Sequence, residues 1–140
     1  MGSSNIDAGP FSQLINWLLQ AGFVVLGDTT DEERFGNSLL LLRRGDTRIR
    51  AVRDRSQWFI ELAAPGSDAW FSPVVWLAAL DNTMPRLDAF SDDEQARIVE
   101  DRLFEIDELS SNNSGKTLEL LQSWQAKRAA SRRAQQPGAP

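Results

Sequence analysis

The stretch LLLLRRGDTRIRAVRDRSQWFIELA, residues 39–63, decides the fold. Apolar and polar side chains alternate through it with a period of two, the repeat of a β-strand with one dry face. Gly45-Asp46 and Asp54-Arg55 divide it into three strands and read as two-residue hairpin turns. With those turns Leu42 faces Ile49 and Leu40 faces Ala51 across the first ladder. Across the second, Ala51 faces Trp58 and Ile49 faces Ile60. The two hairpins then agree on one apolar face, made of Leu40, Leu42, Ile49, Ala51, Trp58 and Ile60. The other face carries Leu39, Leu41, Arg43, Arg48, Arg50, Val52, Phe59 and Glu61, with Arg48 opposite Glu61 and Arg50 opposite Phe59.

Six arginines lie between positions 43 and 55, against two aspartates, in a chain whose net charge is −5. Alternation accounts for most of them: they stand on the half-wet face and cover its apolar residues with their stems. A nucleic-acid surface calls for a basic chain with arginines interleaved among exposed aromatics. The net field here repels a polyanion. No nucleic-acid partner is expected, although the face of Arg43, Arg48 and Arg50 stays open as an alternative protein interface.

Working outward, Pro10 opens a helix with Phe11, Leu14, Ile15, Leu18 and Leu19 at helical spacing, and Gly22 stands where a C-terminal cap belongs. Phe23-Val24-Val25-Leu26 reads as a first strand, and GDTTDEER, residues 27–34, as an acidic loop. Past the meander, Ser72 and Pro73 open a second helix whose dry stripe is Val75, Trp76, Ala79 and Leu80, with Trp70 as a staple across its start. Residues 82–90 form a loop. Ser91 and Glu94 then make a capping box for a third helix, which ends at the break SSNNSG, residues 110–115. A last helix starts near Lys116, with Leu118, Leu121 and Trp124 on one face, and its basic end suits the helix dipole. Trp17, Trp58, Trp76 and Trp124 lie on or beside apolar stripes and read as core or core edge. The predicted class is α+β: an N-terminal helix, an antiparallel four-stranded meander and three C-terminal helices packed on the sheet. The predicted organisation is a flexible N-terminus over 1–9, a single domain over 10–133 and a disordered tail over 134–140.

Composition narrows the chemistry. Among 140 residues there is no Cys, no His and no Tyr. Ser-His-Asp and Cys-His catalytic units, and Cys or His metal sites, cannot be assembled from this alphabet. The reading is therefore not an enzyme, with no cofactor and no metal. No apolar run approaches a bilayer span, and the first residues lack a signal peptide's basic and apolar segments, so a cytoplasmic location with no membrane contact is expected.

The third helix carries the functional signal. Eight acidic residues lie between Asp92 and Glu108, against Arg97 and Arg102. Ala96, Val99, Leu103 and Ile106 fall in one arc and form its dry stripe. The opposite half holds Asp93, Glu94, Glu100, Asp101, Glu105, Asp107 and Glu108, with Phe104 in their midst. An aromatic anchor ringed by carboxylates is suited to a basic protein partner. An ordinary solvated face with Phe104 sheltered by a neighbour is the alternative.

The stretch RIRAVRDRSQWFIELAAPGSDAWFSPVVWLAALDN, residues 48–82, in a small, acidic, cysteine-free α+β chain, resembles the immunity proteins encoded beside bacterial polymorphic or contact-dependent toxins. That resemblance implies a non-catalytic protein, monomer or homodimer, that neutralises a basic toxin domain by direct contact. Size, acidity and helix-then-meander order also resemble secretion chaperones, which implies the alternative of an interaction module for an effector segment.

Overall fold

The computed structural model describes residues 8–31, 37–88, 90–111 and 115–134. A 3₁₀ turn (Gly9–Phe11) leads into α1 (Ser12–Gln20). The sheet follows as β1 (Val24–Asp31), β2 (Asn37–Arg44), β3 (Thr47–Asp54), β4 (Gln57–Ala63) and β5 (Trp70–Phe71). Three helices close the chain: α2 (Pro73–Asp81), α3 (Asp92–Ser111) and α4 (Lys116–Ala134). The class is α+β as expected. Of the expected termini, 1–7 and 135–140 lie outside the described residues; Ala8 is buried, Gly9 opens the 3₁₀ turn and Ala134 closes α4.

The strands form an antiparallel meander in the order β1-β2-β3-β4-β5. Leu42 pairs with Ile49 and Leu40 with Ala51, as the first turn requires. The second turn sits one residue later than expected, at Arg55-Ser56, where both residues have positive φ (53° and 70°). That backbone matches the strand twist of a two-residue hairpin, at some strain for non-glycine residues. A loop displaced by one residue moves each partner by two, so the faces survive while the pairs change. Ala51 faces Ile60, Ile49 faces Leu62, Arg50 faces Glu61 and Val52 faces Phe59. This register brings Leu62 into the core and lets Arg50 ion-pair Glu61 at 2.6 Å. Trp58 keeps its face but moves to the rim, opposite Arg53, where it is half-buried against Gly9. A Cβ at Gly9 (φ +58°) would stand 2.3 Å from the Trp58 indole nitrogen, so only glycine closes that turn on the ring.

Two segments expected as loops are strand. Residues 27–31 continue β1, with a bulge between Val25 and Gly27, because β2 offers unpaired backbone along their whole length; residues 32–34 of that expected loop lie outside the described residues. Trp70 is not a staple: it pairs with Ala63 in β5. Ser110 and Ser111 belong to α3, and 112–114 lie outside the described residues.

Helices cover one face of the sheet. Leu14, Ile15 and Leu18 of α1, and Val99, Leu103 and Ile106 of α3, join Leu40, Leu42, Ile49, Ala51, Ile60 and Leu62 in one core. α1 ends in a Schellman cap, with Phe23 N–H donating to Leu18 O and Gly22 N–H to Leu19 O. α2 is apolar on nearly every side and is buried accordingly, between β4, α3 and α4. Its Trp76 is fully buried and donates from Nε1 to the Leu62 carbonyl at 3.1 Å. α4 departs from expectation by packing chiefly on α2 rather than on the sheet, through Leu121 and Trp124. Trp17 lies toward the core edge, 37% exposed.

Candidate functional site

Local sequence starts α3 in the predicted way. Glu94 N–H donates to Ser91 Oγ at 3.1 Å and Ser91 N–H to Glu94 Oε1 at 3.0 Å, a reciprocal capping box. The inner stripe of Val99, Leu103 and Ile106 is buried, joined by Ile98, while Ala96 sits at the margin. That stripe turns the opposite half of the helix outward. Phe104 stands there at 74% exposure, the most exposed of the large hydrophobic residues among those described.

The eight residues singled out on this helix separate into two groups. Three of the carboxylates, Glu94, Glu105 and Asp107, are bonded within the fold. Asp107 acts as a clamp within the fold: its carboxylate accepts from Arg44 Nη2 and from the buried Thr47 hydroxyl, tying α3 to the β2–β3 hairpin. On the other flank Arg102 binds Glu105 at 2.6 Å and Asp81 of α2 at 2.7 Å. Hydrogen bonding from Arg102 lowers both carboxyls, and their bonds raise Arg102 in turn, so all three stay charged. Glu94 is held by Arg86 at 3.0 and 3.2 Å, and this bond, with the Ser91 amide behind it, brings its carboxyl down to about 2.

Asp93, Glu100, Asp101 and Glu108 are exposed and make no ion pair among the described residues. At 100° per residue Glu100, Asp101 and Glu108 surround Phe104 on the outward side, with Asp93 and Arg97 in line toward the N-terminus. A shallow recess of about 480 Å³ lies beside the ring, lined by Phe104, Asp107, Glu108, Leu109 and Ser111.

The arginine face of the sheet is spent largely on the protein itself. Arg48 Nη2 donates to the carbonyls of Ala64 (2.9 Å) and Ser67 (2.5 Å). Arg50 pairs with Glu61 and stacks over Trp70 at 4.3 Å. Arg43 is exposed and donates to the nearby Gly45 carbonyl. Sequence reasoning missed the cationic environment of Trp70, because β5 is only two residues long and carries no periodicity.

Among the described residues no three acidic side chains converge to hold a metal ion, and no helix is long and apolar enough to cross a membrane. No family model, curated protein or solved structure matches the chain.

Proposed function

We propose that the chain is a non-catalytic binding protein whose α3 face docks a basic surface of a protein partner, in the manner of an immunity protein that neutralises a cognate bacterial toxin. The observation that carries this reading is Phe104, 74% exposed and surrounded by the carboxylates of Glu100, Asp101 and Glu108, which make no ion pair among the described residues. A large aromatic held in water contributes nothing to folding, whereas its burial in a complex stabilises by ~1.5–3 kcal/mol. Carboxylates with no internal partner remain available to steer a cationic surface and to reject acidic ones.

The immunity reading requires a toxin encoded beside this chain's gene, and the test uses that toxin's purified domain. Phe104→Ala should weaken binding about tenfold or more, with the free protein's melting temperature unchanged. Glu100→Lys with Asp101→Lys should slow association, an effect that shrinks as salt screens the charges. Unchanged affinity of the Phe104 variant would overturn the proposal, as would unfolding of that variant on its own.

A further inference from the structure

A second surface, between α4 and the β4–β5 edge, has the opposite charge. The C-terminal half of α4 runs past the β4–β5 edge and leaves a groove of about 610 Å³, floored by Trp70, Val75 and Ala129 and rimmed by Arg128, Arg132 and Arg133. Glu61 also lines it, but Arg50 already neutralises that carboxylate. The three arginines have no carboxylate bonded to them among the described residues. Arg128 spends its donors on the Arg86 and Leu87 carbonyls, which fixes α4 to the loop before α3 but supplies no counter-charge. Burial and the neighbouring Arg132 both push its guanidinium below the ordinary value, with Asp88 opposing them. In a chain with 20 acidic and 15 basic residues, three guanidinium groups gathered with no carboxylate bonded to them among the described residues are not a consequence of composition. Complementing the α4 dipole accounts for Arg132 and Arg133 in the last turn. It does not account for an aromatic-floored groove beneath them.

We propose that this groove is a docking site for a short acidic peptide segment of a protein partner, separate from the α3 face. The guanidinium groups of Arg132 and Arg133 each present a planar fork that matches a carboxylate bidentately, and Arg128 adds positive charge beside them. Val75, Ala129 and the Trp70 ring offer apolar contact for the aliphatic stems of Asp and Glu. The groove suits a peptide better than a polynucleotide. One face of Trp70 is already covered by Arg50, which removes a stacking platform. The net charge of −5 opposes a long polyanion, while a few carboxylates respond to the local cations.

The experiment is calorimetric titration of the full chain with a short end-blocked peptide of alternating Glu and Asp, at low and physiological salt. Nitrogen-resolved NMR of the indole N–H signals locates the site, with Trp70→Phe assigning the Trp70 resonance. Binding should shift that resonance, weaken with salt and fall about tenfold or more in the Arg132→Glu/Arg133→Glu variant. Arg132→Lys/Arg133→Lys should retain part of the affinity, and Glu100→Lys/Asp101→Lys on α3 should leave the Trp70 response intact. Arg132→Gln/Arg133→Gln replaces the reversal if the latter perturbs the thermal melt. The proposal is overturned if the peptide does not bind or if charge reversal leaves its affinity unchanged. It is equally overturned if a single-stranded oligonucleotide of equal charge binds the same arginines more tightly. Failure here leaves the α3 reading untouched, because Phe104 and the groove are varied independently.

Discussion

Removing the Asp107 carboxylate distinguishes a clamp from an interface residue, and its cost can be worked from the contacts. In Asp107→Ala the Thr47 hydroxyl, on a residue only 2% exposed, loses its acceptor, and an orphaned buried hydroxyl costs ~1–3 kcal/mol. Arg44 loses its only carboxylate partner among the described residues but keeps its bond to the Ala21 carbonyl and its place over the Phe23 ring. The Arg44 and Asp107 side chains are 33% and 29% exposed, so their pair lies between the surface and buried limits and adds about 1 kcal/mol. The expected loss is ~2–4 kcal/mol, a fall in melting temperature of roughly 6–16 °C for a chain of this length. Chemical denaturation followed by tryptophan fluorescence reads it directly. Thr47→Val combined with Asp107→Ala should cost less than the two single losses added together, since the orphaned hydroxyl is gone. Glu108→Ala, one residue along and facing water, should stay within about 0.5 kcal/mol of the parent. A loss below ~0.5 kcal/mol for Asp107→Ala, or strictly additive losses, would refute the clamp.

Two further outcomes follow from the core and from the helix start. Ile49 is fully buried between Leu42 and Leu62, so Ile49→Ala should cost ~2–5 kcal/mol in the same denaturation assay; a loss under ~1 kcal/mol would mean that the register is wrong. Glu94 titrates at about 2 in the folded chain against an ordinary 4.5, so the folded state binds its proton less readily than the unfolded state. The stabilisation from its Arg86 and Ser91 bonds is therefore complete above the ordinary value and is lost as pH falls from about 4.5 to 2. Glu94→Gln should flatten the stability profile across that window; an unchanged slope would show that the capping box does not respond to this carboxylate.

Residues 39–63 were legible as a meander because the direction of a strand side chain is set by its own backbone, two residues per repeat. The dry face of Leu40, Leu42, Ile49, Ala51 and Ile60, and the Ser91–Glu94 box, follow from such local rules. So does the placement of Phe104 opposite the stripe of Val99, Leu103 and Ile106, whereas its exposure to water, with no neighbour folded over it among the described residues, was decided by packing. Pairing across space is a different matter. The second hairpin could slip by one residue without altering which face is dry, and only the joint fit of Ile60, Leu62 and the Arg50–Glu61 pair selected Arg55-Ser56. Asp107 looked like its acidic neighbours because Arg44, the group that claims it, lies 63 positions earlier in the chain. β5 exists only because β4 offers it an edge, and the groove above Trp70 exists only because α4 stacks on α2. Helix and strand periodicity is written in neighbours; which charges are spent and which are left for a partner depends on contacts between segments far apart in the chain, and those are set by packing.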